Sequence, residues 1–533
     1  DIWLQSSYNT VSYNNTFSDI IVQFGANMWV KVDLNLIVYD NSSATFLDAD
    51  VEVKQDDLVV YSSPYFGGSD PKTNSYGTVD TFLINYKEYN DSSTPSIIPT
   101  DITIRSYDWE KTFSSDPSST ISLTVPDFRV QNTRTGTLTY YIQTAIDDAL
   151  SGDTIRAWSG TYYENIEVTE EVTIIGNGTS TIITVDISGS GFSSPPIANS
   201  SREGIKITAD DVEVRDLTVS NFSKGIYVYW SDDVLLENIV ITNSPTNGID
   251  VVASNSLVIR GLYVSGSSVI NIATDSNSNF LTIEDTISTE SDNAGLAIDS
   301  PNAYLINITV FDNSGHGLYI GGNDATIIDS KIYDNGLKGM YFSGVTSGTF
   351  SNNIVYDNGG DEIYSISSYD LELSNNIISD AEYGYGIHLN SGDGADIQDN
   401  QIFASIWLDD SSDSNIYNNN FENITGGSKT YDNVAIIIGS NNNTISNNNI
   451  DNAGIAFAFL PGDSDYNWVE NNTIGLTDYD IEYYTSGMNN TFINTDIGLV
   501  DISEDSYFEV LHFIDIEMLM VNGPAKDVEL EIL

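Results

Sequence analysis

Gly317-Leu318-Tyr319-Ile320, Gly339-Met340-Tyr341-Phe342 and Gly386-Ile387-His388-Leu389 are copies of one phrase: glycine, an aliphatic, any residue, another aliphatic. Gly225, Gly248, Gly295 and Gly454 open further copies, and degenerate ones begin at Val269, Glu362, Ser405, Val434 and Asp480. Between Gly204 and Asp480 there are thirteen units, with starts 19 to 29 residues apart. A polar pair followed by an aliphatic answers each opening, as in Asn352-Asn353-Ile354, Asn375-Asn376-Ile377 and Asn471-Asn472-Thr473-Ile474. A period of this length means stacked units.

Within a unit, aliphatic and polar residues alternate, as in Val212-Glu213-Val214-Arg215-Asp216-Leu217-Thr218-Val219. That is the pattern of a strand with one buried face. Helical spacing is absent, and Gly, Asn, Asp and Ser separate the short strands. No single unit can bury its inward residues, so neighbours must stack. A coil of short strands, each paired with its counterpart in the next coil, satisfies both signals. Thirteen such coils extend over roughly 60 Å. The aliphatics Ile354 and Ile377 are expected to face inward, and Asn353, Asn376, Asn400, Asn420 and Asn448 to form a hydrogen-bonded ladder from coil to coil.

The start of this region carries a second signal. Tyr141 to Leu150 reads as an amphipathic helix, followed by Ser151-Gly152-Asp153-Thr154-Ile155, Ser159-Gly160-Thr161-Tyr162-Tyr163-Glu164 and Val172-Thr173-Ile174-Ile175-Gly176. Together with the repeat, this succession resembles the right-handed parallel β-helix superfamily, the pectate-lyase-like fold and relatives with repeats like those of periplasmic copper-binding maturation proteins. The resemblance implies an all-β chain, with a helical cap at about 140–150 and a parallel β-helix over 137–497. It implies little about activity, because enzymes, adhesins and structural rods share the fold.

Residues 1–130 lack the repeat but hold alternating strands such as Val30 to Val38 and Ile121 to Val125, separated by turn signals including Gly67-Gly68-Ser69-Asp70-Pro71. They read as an antiparallel, immunoglobulin-like β-sandwich, joined to the coil through Asp127 to Leu138. Residues 498–533 read as further strands. Phe508 to Leu533 echoes the sandwich, with Asp527-Val528-Glu529-Leu530 answering Asp50-Val51-Glu52-Val53. Three readings stay open: a truncated second sandwich, a cap on the coil, or strands that complete a sheet in a neighbouring copy.

Composition narrows the function classes. The chain has 533 residues, 77 of them Asp or Glu against 18 Lys or Arg, for a net charge of −59. No basic patch could neutralise phosphates, which excludes nucleic acid as a partner. There are no cysteines, hence no disulfides or thiolate chemistry, and no apolar run long enough to span a bilayer. Three His and five Met make a poor copper set. Eleven Asn-x-Ser/Thr sequons occur, at Asn14, Asn41, Asn90, Asn177, Asn199, Asn221, Asn307, Asn423, Asn442, Asn471 and Asn489. They permit glycosylation, although so Asn-rich a chain produces such matches by chance. Acidity, sequons and abundant Tyr suit an extracellular or cell-surface protein.

Candidate chemistry is sparse. Gly315-His316-Gly317 resembles the Gly-His-Gly motif of polygalacturonases, but Tyr341 and Ser343 stand where that family has Arg and Lys. His316, Lys338 and Asp361 each precede a coil opening, so stacking in register makes them a column that could supply a base and a charge neutraliser for polysaccharide elimination. Asp409, Asp410, Asp413, Asp463 and Asp465 crowd turns that could take calcium, though no calcium-loop spacing is present. The reading favoured by the residues is a non-enzymatic structural protein that self-associates into a filament, lattice or stalk. The alternative is a carbohydrate-active or glycan-binding protein working through the outer face of the coil.

Overall fold

The computed structural model describes residues 2–5, 10–13, 20–23, 26–39, 49–90, 96–106, 109–116, 120–124, 129–185, 201–379, 384–424, 433–460, 464–484, 489–502, 508–511, 519–520 and 523–524. The chain divides into two compact units, Asp1–Gln131 with Thr135–Tyr141, and Asn132–Arg134 with Ile142–Leu533.

In the first unit, beside a two-stranded parallel pair of Ile2–Gln5 with Ile20–Gln23, two larger sheets pack together. Asp50–Gln55, Leu58–Ser62, Thr100–Ser106 and Trp109–Ser115 form an antiparallel four-stranded sheet. The long strand Asn27–Tyr39 centres the other. Its alternation puts Leu34, Leu36 and Val38 inward, where they meet Val51, Val53, Ile102 and Ile104 of the first sheet. The expectation of a purely antiparallel sandwich needs correction. Asn27–Tyr39 pairs antiparallel with Phe82–Asn90 but parallel with both Thr120–Thr124 and Thr10–Tyr13. Alternation reveals which face is buried but not the direction of the neighbouring strand.

The second unit is a parallel β-solenoid. Two strands per coil contribute to a thirty-stranded sheet, and one per coil to a fifteen-stranded sheet. The thirteen sequence units each supply a strand of the fifteen-stranded sheet, from Glu203–Ile207 to Thr477–Tyr483. Pairing is parallel and in register, as in Leu318↔Met340↔Ile363↔Ile387. Inward residues such as Ile320, Phe342, Leu373 and Ile397 are fully buried. The repeated glycine has a steric cause. A Cβ on Gly317 would lie 2.6 Å from Ile332 Cγ2 and 2.7 Å from Gly339 O, so the strand enters the coil where no side chain fits.

Ile354 and Ile377 correct the expected register. Both point outward, 38% and 39% exposed, while Val355 and Ile378 are fully buried. The preceding Asn353 and Asn376 are themselves inside, at 1% exposure, and alternation restarts from them. These asparagines do form a ladder. Backbone N–H of Asn353 donates to Asn376 Oδ1 at 2.9 Å, Asn376 to Asn400 at 2.8 Å, and Asn400 to Asn419 at 3.0 Å. Asn419 continues to Asn448 and Asn448 to Asn472. Asn420 is not a rung; its side chain bonds Glu422 and Asn449 on the outside. A second ladder joins Asn313, Asn335 and Asn358.

Helix Ile142–Asp147 is shorter than the expected 140–150. The buried Glu164 carboxylate accepts the Ile142 and Gln143 N–H groups at 3.0 and 2.9 Å, satisfying the first turn. At the other end, Val500–Ile502 and Phe508–Leu511 pair in parallel with Thr477–Tyr483 and Asn490–Ile493. The coil therefore continues beyond residue 497, and Phe508–Leu511 is one of its strands instead of opening a second sandwich. Asp527-Val528-Glu529-Leu530 lies outside the described residues. Among the described residues no helix is long and apolar enough to cross a membrane.

Candidate functional site

On the outer face of the fifteen-stranded sheet, register stacks outward residues into a column: Asp250, Ala273, Ala297, Tyr319, Tyr341, Tyr364, His388, Trp407, Ile437 and Ala458. Most are the variable residue of the phrase, but the copies read from Val269, Val434 and Gly454 are shifted by one or two residues, so that Ala456 and not Gly454 takes the glycine corner. A parallel column holds His316, Lys338, Asp361 and Tyr385, three residues earlier in each coil. The expected trio thus shares one face, and it does not stand alone.

Each member of the second column leans on the variable residue of the next coil. The His316 ring lies 5.0 Å from Tyr341, and Lys338 Nζ sits 3.7 Å over the Tyr364 ring. Asp361 Oδ2 approaches His388 Nδ1 at 3.5 Å, and the Tyr385 ring is 4.9 Å from Trp407. Links also run down the column. Lys338 N–H donates to His316 Nδ1 at 3.2 Å, and Lys338 Nζ donates to Asp361 Oδ2 at 2.6 Å. Tyr385 N–H donates to Asp361 Oδ1 at 2.8 Å. His388 stacks on Trp407 at 4.2 Å, with Nε2 3.6 Å from Asp409 Oδ2.

The electrostatics follow from this packing. Burial, with the Lys338 charge adding to it, pulls His316 down to about 4, so the ring is neutral at pH 7. Burial opposes ionisation of Asp361, but the His388 hydrogen bond and the Lys338 charge outweigh it and hold the carboxyl below its usual range. Burial, then Tyr341, Asp361 and Asp409, push Tyr364 up. His388 Nε2 and Trp407 Nε1 are buried without a hydrogen-bond partner, each an unmet cost of about 1–3 kcal/mol.

Ring geometry separates this face from another aromatic row. Phe311, Tyr333 and Tyr356 on the thirty-stranded sheet stack face to face at 5.1 Å and 2°. Their faces are spent on one another. Tyr319 and Tyr341 meet at 85°, Tyr341 and Tyr364 at 52°, and Tyr364 and His388 at 75°. These rings are not stacked on one another, but Lys338 Nζ covers one face of Tyr364 and His388 one face of Trp407, which leaves their remaining, partly exposed surfaces for a ligand. From Tyr319 to Trp407 the row spans four coil steps, roughly 19 Å. A cleft of about 300 Å³ lies elsewhere, beside Glu167, Arg202, Glu203 and Lys206. Its lining is charged and amide side chains with Ile166, and no aromatic ring.

The sequence reading missed Tyr341, Tyr364, His388 and Trp407. The signal was present: reading the variable position down the copies gives Tyr319, Tyr341, Tyr364, His388 and then Trp407. The acidic turns behave differently. Asp409 accepts Asn390 Nδ2 at 2.9 Å beside His388, whereas Asp410 and Asp413 occupy left-handed turn positions. Asp465 N–H donates to Asn441 Oδ1, and Asp463 lies outside the described residues. Among the described residues, no three His, Asp or Glu side chains come together as metal ligands do. Of the sequons, Asn14, Asn41 and Asn199 lie outside the described residues. Asn90, Asn177, Asn307, Asn423, Asn442, Asn471 and Asn489 are exposed and Asn221 half-buried. Asn221, Asn307, Asn423, Asn442, Asn471 and Asn489 have positive φ, so the turns that favour Asn generate these sequons.

Sequence comparison supports the fold. The family described as right handed beta helix region matches residues 163–310, 203–402 and 316–497, and the chain belongs to it. No curated protein matches the sequence. Among solved structures, the Azotobacter vinelandii mannuronan C-5 epimerase AlgE6 A-module is 16% identical, with a TM-score of 0.45, covering 67% of this chain and 94% of its own. The AlgE4 A-module of the same organism is 16% identical, at a TM-score of 0.42, covering 66% and 94%. The bacteriophage Phi29 gene product 12 N-terminal fragment is 11% identical, at 0.44, covering 69% and 68%. These likenesses concern fold.

Proposed function

We propose that the protein is an extracellular glycan-binding β-helix whose ligand lies along Tyr319, Tyr341, Tyr364 and Trp407. The supporting observation is the tilted aromatic row bordered by Lys338, Asp361 and Asp409. Saccharides offer apolar faces rimmed by hydroxyls, and a row of partly exposed rings with a few fixed polar groups is complementary to them. The role is binding rather than bond cleavage. His316 Nδ1 is occupied by the Lys338 N–H, and Asp361 by Lys338, Tyr385 and His388. Neither is free to take a proton.

Charge selects the ligand. Lys338 is paired, Asp361 and Asp409 border the row, and the chain carries −59 overall. A polyanion would be repelled, most strongly at low salt, where screening is weak. The ligand is therefore uncharged. Affinity electrophoresis against linear mixed-linkage β-glucan, glucomannan, pullulan and polygalacturonate tests this. Retardation by a neutral polymer and not by polygalacturonate is expected. Free migration in all four gels overturns the reading.

A further inference from the structure

The same outer face carries a second aromatic cluster. Followed toward the start of the coil, the column runs from Tyr319 through Ala297, Ala273 and Asp250 to Tyr227. Tyr227 stacks on Tyr229 at 5.5 Å, and the Tyr229 ring meets Trp230 edge-on at 6.2 Å. Tyr229 is 38% exposed and Trp230 69%. Lys224 Nζ lies 3.9 Å over the Tyr227 ring and pairs with Asp250 Oδ2 at 2.5 Å. Lys338 does the same between Tyr364 and Asp361. Tyrosines, a lysine over one ring and an aspartate that neutralises it therefore occur twice along one column.

Trp230 is costly where it stands. Its backbone is left-handed, with φ of 54°, at a corner that Ala253 fills in the next coil and Gly344, Ser367 and Ser391 fill further on. A large side chain strains that conformation and, so exposed, gains little burial in return. The stretch between the two clusters is low. Ala273 and Ala297 are partly exposed, with Asp275 and Asp299 two residues further along the chain on the same side. Among the described residues the Asp299 carboxylate has no hydrogen-bond or ion-pair partner, and burial with the Asp275 charge pushes it up. Small side chains edged by carboxylates leave room for a chain and offer acceptors to its hydroxyls.

Resting on the glycan reading above, we propose that the bound glycan is an extended chain held at both clusters at once, with Tyr227, Tyr229 and Trp230 as a second platform and the alanine floor beneath its middle. From Tyr227 to Tyr319 is four coil steps, roughly 19 Å, and from Tyr227 to Tyr364 six steps, roughly 29 Å. The ligand class is thus a long, linear, neutral polysaccharide and not a short oligosaccharide. Once one platform is occupied, engaging the other is an intramolecular event, which raises affinity without a new kind of contact.

The test reads affinity against chain length. Size-fractionated oligosaccharides of linear mixed-linkage β-glucan, glucomannan and pullulan, and the polymers themselves, are titrated calorimetrically into the full chain and into the double variant Tyr229→Ala/Trp230→Ala, with melting temperatures measured alongside. Affinity should step up once the extended length of a fraction passes roughly 29 Å. The double variant should lose that step, about tenfold or more, while binding the shorter fractions as the parent does. Equal affinity of parent and double variant for the polymers overturns the inference while leaving glycan binding at Tyr364 intact. So does an affinity that stays flat from the shortest fraction bound to the polymer. Absence of binding by all three glycans at every length removes the glycan reading, and this inference with it.

Discussion

Replacing Asn400 by Ala should break the inner ladder at one rung. Asn400 Oδ1 accepts the Asn376 backbone N–H at 2.8 Å and Asn376 Nδ2 at 3.0 Å, and Asn400 Nδ2 donates to Leu373 O at 2.9 Å. Asn400 is 1% exposed, so water cannot take its place. The Asn376 N–H loses this partner, and three further bonds disappear, the third being Asn400 Nδ2 to Asn419 Oδ1 at 2.9 Å, while Asn376 Nδ2 keeps Phe350 O. An orphaned buried donor costs about 1–3 kcal/mol and each lost bond about 0.5–1.5, which sums to roughly 2.5–7.5 kcal/mol. Asn420→Ala is the control, since its bonds to Glu422 and Asn449 lie outside and its cost should stay within about 0.5 kcal/mol. Solenoids can open locally, so denaturant titration should be joined by hydrogen exchange of strands Glu372–Ser374 and Asp396–Gln398. Equal effects of the two substitutions would refute the ladder as a source of stability.

Val355→Asp places a charge at a fully buried position and should cost several kcal/mol, whereas Ile354→Asp, at an outward position, should be nearly neutral in the same titration. Gly317→Ala must fit a Cβ against Gly339 O and Ile332 and should lower stability by about 1–3 kcal/mol. His316 is depressed to about 4 from 6.5. Between those values the unfolded chain binds the extra proton, so the contribution of neutral His316 is complete above pH 6.5 and is lost as pH falls towards 4. His316→Gln should therefore show a smaller fall in melting temperature between pH 7 and pH 4 than the parent; an identical fall would assign the acid sensitivity elsewhere.

The architecture was legible because close packing at one corner of the coil favours glycine there in many coils, as Gly317 and Gly339 record, while Asn271, Glu362 and Ser405 occupy the same corner in others and blur the period. The inward register was not. Asn353 looks like a surface turn residue, and only its bonds to Ile327 O and Asn376 reveal that it is inside. Phe508–Leu511 resembles a sandwich strand because alternation is common to both units; its parallel partner Asn490–Ile493 decides the matter. Of the site, His316, Lys338 and Asp361 could be read from their place before the openings. Their partners could not, because contact runs diagonally from one coil to a position three residues further along in the next, as from Asp361 to His388. The repeat and the missing catalytic partners favoured a self-associating structural protein; the tilted aromatic row is what the glycan proposal rests on instead.

Comparing Tyr364→Ala with Tyr333→Ala tests the placement of the ligand most directly. Both remove one tyrosine from an outer row, but Tyr364 belongs to the tilted row and Tyr333 to the closed stack. With dissociation constants for linear mixed-linkage β-glucan, glucomannan and pullulan measured by calorimetry, Tyr364→Ala should weaken binding about tenfold or more, corresponding to a loss of at least about 1.4 kcal/mol, and Tyr333→Ala should leave it unchanged. Loss of binding in Tyr333→Ala with retention in Tyr364→Ala would contradict the account.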